Sequence, residues 1–440
     1  MMSNVAQAVL DRAEQQLMGP FALIRMVRPL LNAPGMPRIY SASSVINSIT
    51  TYNSAEMVGH TGAVGFDVLE AKLGAVGECV ERYCCAVYQH HQLVYCSAVE
   101  LGTEAVGMDQ FCLFTQRQLQ HDDFPLPLWQ PNSPMHWVQG RSLLQQQTKY
   151  IPACLTYIPY LNPCEVDRQP DLFALAVSSG QACHSELDAA LLSGLCEVIE
   201  RDAFMICWSK MLSVPRLDYS ADPELCDIFD RYFACAGLQF HLFDITLDIP
   251  IPSVLCVVQG ISDRGPYCCV GAATRPHYRD AIVKAWQEAA QGLIWAQSLM
   301  QSKPDWRPET DFHNVRDFVD HVRLFCEPDM QQHMAFLLDT KHSYKPDFSM
   351  PQRSTAASLQ YCLDVVSQSG FDVISVDLTT DDILTSGLVV HKVFVPGTAS
   401  LYAVHGLPHF GCPRFEQVPA RLGLSALPPG QFNPVPHPFP

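Results

Sequence analysis

From Leu69 to Gln89 the apolar residues Leu69, Leu73, Val76, Val80, Tyr83 and Val87 recur at spacings of four and three, the period of a helix with one buried stripe. The same pattern predicts a second long helix over Glu186 to Trp208, with Leu187, Leu191, Leu195 and Val198 in its stripe. A third runs from Arg279 to about Leu299 on Ile282, Trp286, Ala289 and Leu293. A shorter helix is expected over residues 4–18. Short apolar runs predict strands at Leu172 to Val177, Gln239 to Thr246, Pro252 to Val258, Cys268 to Ala273, Val373 to Leu378 and Leu388 to Val395. Two further β-like runs, His136 to Leu144 and Tyr150 to Tyr160, can form a hairpin. Strands and helices are interspersed without strict alternation, so the expected class is α+β, mixed sheets packed with long helices.

Proline marks the ends. Pro29, Pro34 and Pro37 punctuate an extended, arm-like stretch after the first helix, and the last 34 residues hold nine of the chain's 33 prolines. Such a tail can be neither a long helix nor a central strand. The expected organisation is an N-terminal helix and arm over residues 1–59, a main body over 60–420, and a Pro-rich tail over 421–440 ending in Pro436-x-Pro438-x-Pro440.

Composition narrows the function. The 440 residues include 28 Lys and Arg against 45 Asp and Glu, a net charge of −17, and 48% are hydrophobic, enough for a sizeable core. The acidity argues against a large nucleic-acid or anionic-membrane footprint, and no apolar run reaches membrane-spanning length. The 18 cysteines are scattered, with no Cys-x-x-Cys, and read as small core residues of a reducing, cytoplasmic compartment. His405 and His409 are expected in surface turns.

The most informative feature is an echo. Glu-x-x-Glu-Arg occurs twice, as Glu78, Glu81 and Arg82 in the first long helix and as Glu197, Glu200 and Arg201 in the second. Residues three apart share a helix face. Stepping about 100° per residue puts both acid pairs away from the apolar stripes. A solvated charged face is the bland alternative, but the repetition within charge-poor helices favours placed groups. Four carboxylates brought to one cleft need cations, and Mg²⁺ with a phosphate in its shell suits them. Arg82 and Arg201 would offer forked donors to phosphate oxygens. The third helix adds Lys284, Gln287, Glu288 and Gln291 on its polar face. No Walker A loop, Gly-x-Gly-x-x-Gly or His-Glu-x-x-His is present, so a nucleotide site here is carboxylate and metal based.

These residues lie in stretches ("EAKLGAVGECVERYC", "ALAVSSGQACHSELDAALLSGLCEVIERDAFMICW", "FDIT", "YRDAIVKAWQEAAQG", "VFVPGTASLY", "PVPHPFP") through which the chain resembles the YcaO superfamily, and within it the SagD-like cyclodehydratases that install azoline rings in ribosomally made peptides. The resemblance covers roughly residues 60–440 and implies a YcaO fold. It implies that Glu78, Glu81, Glu197 and Glu200 coordinate Mg²⁺ bridged to ATP, that Arg201 contacts the nucleotide, and that Gln287, Glu288 and Gln291 form a third contact segment with Ser185 at a ligand-facing position. The chain departs from relatives at His184, at Ala63-Val64-Gly65 and at Ala189, where relatives often carry Glu and this chain has Asp188 one step earlier. The Pro436, Pro438, Pro440 terminus resembles that of azoline-forming members, where it threads toward the active site, and the carboxylate at Pro440 or a nearby residue is a candidate base.

The implied activity is ATP-dependent conversion of Cys, Ser or Thr of a precursor peptide to thiazoline or oxazoline. Backbone thioamidation, or a silent scaffold role, are the alternatives. Because only about 60 residues precede the first matching block, a separate E1-like, leader-binding partner protein is expected; a flavin-dependent azoline oxidase and a homodimer are further possible associations.

Overall fold

The computed structural model describes residues 2–47, 60–88, 90–160 and 171–440. Its strands are β1 (Ile24–Leu30), β2 (Tyr40–Ile46), β3 (His60–Gly65), β4 (Val94–Cys96), β5 (Met135–Ser142), β6 (Thr148–Pro152), β7 (Gln181–His184), β8 (Arg216–Leu217), β9 (Gln239–Asp244), β10 (Ser253–Ser262), β11 (Gly265–Thr274), β12 (Ser343–Tyr344), β13 (Ile374–Asp377) and β14 (Val389–Phe394). The main helices are α1 (Met2–Leu17), α2 (Val68–Ala86), α3 (Leu187–Ser209), α4 (Tyr278–Ser302), α5 (Thr355–Gln368) and α6 (Arg414–Leu422). Mixed sheets with long helices make this an α+β protein. No helix among the described residues is long and apolar enough to cross a membrane.

The chain forms two compact units: Met1–Leu30, Tyr40–Val198 and Ser354–Thr398 make the first, and Leu31–Ile39, Ile199–Arg353 and Ala399–Pro440 the second. The first holds an antiparallel sheet in the order β1-β2-β3 and a larger one in the order β4-β5-β13-β14-β7, with β6 paired to β5. α2 packs on the three-stranded sheet and also reaches β7. The core joins Val80, Tyr83 and Cys84 of α2 to Trp137, Ile151, Ile374, Val376 and Val390 of the larger sheet. The second unit holds the sheet β11-β10-β9-β8-β12, with α4 lying along β11 and β10. Its fully buried Trp286 packs among Tyr219, Phe229 and Phe233.

The three long helices fall where their stripes predict. α3 is apolar beyond its stripe, and Ala203 to Trp208 are all buried, while Leu187, expected inside, is 48% exposed. The extended stretch after α1 is paired as β1 and β2, so it builds one layer with β3; the remainder of the expected arm, residues 48–59, lies outside the described residues. The hairpin forms, but its second arm ends at Pro152 and turns into a helical turn over Ala153–Thr156.

Two expectations are corrected. Leu172 to Val177 pairs with no strand: Phe173 and Ala174 are buried, and the carbonyl of Val177 accepts from the Lys392 ammonium at 2.9 Å in place of a ladder bond. His409 is no surface residue. It is 3% exposed, and its Nδ1 donates to the Leu401 carbonyl at 2.9 Å; His405 is half-buried too. Within the proline-rich tail stretch α6 forms a nine-residue helix directly after Pro413, where unpaired N–H groups make proline harmless. Every cysteine among the described residues is free, and most are buried.

Candidate active site

In the first unit the Asp67 side chain caps α2 through the Glu70 N–H. The helix buries Ala75, Val76, Cys79 and Val80 and keeps Glu78, Glu81 and Arg82 half-buried on its other flank. Two strands reach these acids with backbone donors. The Gly62 N–H of β3 donates to Glu78 Oε2 at 3.2 Å, and the Cys183 N–H of β7 donates to Glu81 Oε1 at 2.7 Å. Arg82 Nη2 stands 3.5 Å from Glu78 Oε1.

Glu197 is carried in by a close approach of α3. Gly180 turns with φ +83°, and a Cβ on Gly194 would fall 2.4 Å from the Gly180 carbonyl oxygen, so only glycine lets helix and turn meet backbone to backbone. Burial, and then the charges of Glu78 and Glu197, push the Glu81 carboxyl up to about 8, against the Cys183 donor. A cation that sequence reasoning missed sits here as well. Lys392 of β14 is 1% exposed and donates to the carbonyls of Leu155 (2.9 Å), Thr156 (3.2 Å) and Val177 (2.9 Å). Burial lowers its pKa and nearby Glu197 opposes that. One charged residue inside the apolar run Leu388 to Val395 was the available signal.

In the second unit Glu200 is buried. Its Oε2 accepts from the Thr274 N–H at 3.2 Å, and its Oε1 is 3.4 Å from Arg201 Nη1. Gly271 of β11 lies so close to α4 that a Cβ there would meet the Ala289 nitrogen at 2.2 Å. This contact presents Lys284, Gln287 and Glu288 along one side of α4. Lys284 Nζ and Glu288 Oε1 are 2.6 Å apart. Burial raises the Glu288 carboxyl, but Lys284, and then Arg201 and Arg275, more than offset it and hold it below the ordinary value. Gln287 is buried and Gln291, one turn on, half-buried. Pro436 and Pro438 are buried and Pro440 half-buried, while Ser185, in the first unit, is exposed in the bend before α3.

The sequence-predicted acids therefore divide into Glu78, Glu81 and Glu197 in one unit and Glu200 with Arg201 and Glu288 in the other, Glu197 and Glu200 being neighbours on one helix. Among the described residues no three His, Cys, Asp or Glu side chains form a closed metal cage. The donor set fits Mg²⁺ nonetheless, because that ion takes one or two carboxylates and completes its shell with water and phosphate oxygens. The three acids of the first unit, where burial and then the neighbouring charges push one carboxyl up, are suited to a dication.

Residues 63–399 match the sequence model of the YcaO cyclodehydratases, described as ATP- and Mg²⁺-binding. The chain belongs to the YcaO family. Among solved structures, a heterocyclase in complex with substrate and cofactor is similar with a TM-score of 0.79 at 23% identity, over 99% of this chain and 57% of that one. YcaO from Methanopyrus kandleri bound with AMPPCP and Mg²⁺ has a TM-score of 0.64 at 16% identity, over 93% of this chain and 94% of that one. The E. coli microcin synthetase McbBCD complex with pro-MccB17 bound has 0.54 at 16%, over 84% and 88%. These likenesses establish a shared YcaO fold. The chain spans 42% and 66% of the lengths of two curated relatives it matches.

Proposed function

We propose that this protein is an ATP-dependent peptide cyclodehydratase. A Cys, Ser or Thr side chain of a precursor peptide adds to the carbonyl carbon of the preceding amide, and the resulting oxygen takes the γ-phosphoryl group of ATP. The cyclic adduct then loses phosphate, and the amide nitrogen its proton, to form the C=N bond of thiazoline or oxazoline, with ADP as the other product. Phosphorylation is needed because an amide oxygen is otherwise a poor leaving group. The observation that carries this reading is the pair of acidic helix segments in a chain of the YcaO family, three carboxylates in one unit and an acid–guanidinium pair in the other.

Glu78, Glu81, Glu197 and Glu200 are the residues that would hold Mg²⁺, which, when bound, neutralises charge on the transferring phosphoryl group. Arg201 and Arg82 donate to phosphate oxygens. Lys284 keeps Glu288 ionised, and with Gln287, Gln291 and Ser185 these side chains orient the nucleotide. Pro436, Pro438 and Pro440 hold the tail extended beside Arg201. The substrate is a precursor peptide, and a separate leader-binding protein is assigned as partner by analogy with the multi-subunit microcin synthetase.

Peptide-dependent ADP release, with product mass read in parallel, tests this. Wild type is expected to remove one water per ring. Glu197→Gln and Glu200→Gln are each expected to lose about 100-fold or more in turnover, the scale of a lost electrostatic stabiliser. Full activity in both variants removes the metal assignment, and exchange of oxygen for sulfur in the product replaces cyclodehydration with thioamidation.

A further inference from the structure

The tail lies along α3 in a fixed register. Asn433 N donates to the Ser209 carbonyl at 2.8 Å, and Trp208 Nε1 donates to the Val435 carbonyl at 3.1 Å. Two residues further, His437 meets Phe204 with ring centroids 6.1 Å apart. Two further again, Phe439 meets Phe204 at 4.6 Å and lies under the Arg201 guanidinium, whose central carbon is 4.0 Å from the ring centroid. Residues 208, 204 and 201 are successive turns of one helix face, about 10 Å from end to end. Residues 435, 437 and 439 of a polyproline-like strand span about 12 Å, so alternate tail residues match helical turns one for one.

The prolines occupy the positions between. They fix the extended pitch and leave docking to the Val435 carbonyl and the rings at 437 and 439. The middle one is pinned on both sides. His437 Nε2 donates to the Tyr402 carbonyl at 2.8 Å, the His437 carbonyl accepts from His321 Nδ1 at 2.7 Å, and the two imidazoles stack at 4.0 Å. A slip of one residue would put proline where the His437 and Phe439 rings sit.

We propose that Phe439 is the positioning residue of Arg201: the tail is a ruler laid along α3, and its penultimate ring holds the guanidinium in the plane from which it meets the nucleotide's phosphates. This rests on the assignment of Arg201 as a phosphate contact. An arginine has several rotatable bonds and a planar head, and stacking on an aromatic face restricts the head without occupying its N–H donors. Glu200, 3.4 Å away, fixes one edge of the head, and Phe439 fixes its face. The competing account is that Phe439, 3% exposed, only fills space against Phe204.

Leucine fills much of that space but presents no ring face, so Phe439→Leu separates the two accounts and Phe439→Tyr serves as the rescue. Both are assayed by peptide-dependent ADP release over a range of Mg²⁺–ATP concentrations, with thermal unfolding alongside. Phe439→Leu is expected to raise KM for ATP about 5- to 10-fold with kcat within about 2-fold, the pattern of a lost binding contact, while Phe439→Tyr restores the wild-type KM. An unchanged KM in Phe439→Leu, or a raised KM that Phe439→Tyr does not restore, overturns the proposal while Arg201→Ala still lowers activity. If Arg201→Ala itself turns over ATP like wild type, the assignment of Arg201 fails first and takes this inference with it.

Discussion

The two acidic groups differ in how their charge is balanced. In the first unit, backbone donors reach Glu78 and Glu81, two cations stand beside the three acids, and one of them, Lys392, spends its three N–H bonds on carbonyls. Burial, with the charges of Glu78 and Glu197 added to it, leaves the Glu81 carboxyl pushed up to about 8. In the second unit Glu288 is held below its ordinary value because Lys284, Arg201 and Arg275 surround it. The first group is short of positive charge and so suits a cation; the second is supplied with it and so suits an anion. Acids on half-buried helix faces thus differ in chemistry because of the cations their surroundings bring.

The sharpest way to break this comparison is to neutralise one acid from each group. Glu81→Gln is expected to lower turnover about 100-fold and yet raise the thermal midpoint of the ligand-free protein by a few degrees at pH 7, since a carboxylate that must take up a proton on folding is replaced by a neutral amide. Glu288→Gln is expected to lower the midpoint, because three cations lose their acid. Midpoint shifts of the same sign would show that the two groups are electrostatically alike.

Acid should separate the units next. In the second unit burial pushes His321, His405 and His409 down to about 4 from 6.5. Both ring nitrogens of His321 face carbonyl oxygens, which favours its charged form, but burial wins. Between pH 6.5 and 4 the unfolded chain therefore binds more protons than the folded one. Stability is fully present above 6.5 and falls as pH drops, by up to roughly 3 kcal/mol for each deeply buried ring. In the first unit His184 and His391 are depressed less. Burial raises Asp171, but its bonds from His136 and Tyr160 outweigh that and hold it below 3.8, so its contribution is lost only at lower pH. Hydrogen exchange at pH 7, 5 and 4 should show the tail residues 427–440 losing protection before the hairpin of β5 and β6. Simultaneous loss would sink the distinction.

The contrast also shows what a sequence makes legible. The long helices announce themselves because one buried stripe at period 3.6 is visible without knowing the partner, and the acid pairs stand out because charge is rare in apolar helices. Pairing is another matter. Leu172 to Val177 looks like a strand because apolar content reports burial, whereas a ladder needs a neighbour with free donors, and here Lys392 takes the Val177 carbonyl. β1 and β2 read as an arm because their partner β3 lies beyond an intervening stretch. Lys392 was as anomalous in its strand as the glutamates in their helices, but it occurs once and no echo marks it. Phe439 gave no signal, since an aromatic between prolines takes its meaning from the guanidinium above it, far away in sequence.

The two lysines give the finest test. Lys392→Met leaves three carbonyls without their donor in a dry interior, and is expected to destabilise the protein by about 3 kcal/mol in denaturant unfolding. Lys284→Met removes a pair whose members are 38% and 36% exposed, where water already screens the charges. It is expected to remove only about 0.5 kcal/mol while raising KM for ATP, because Glu288 loses its nearest cation. A Lys284→Met protein as unstable as Lys392→Met would mean that the second group, too, is a buried structural network, and its proposed role in meeting phosphate would lose its physical basis.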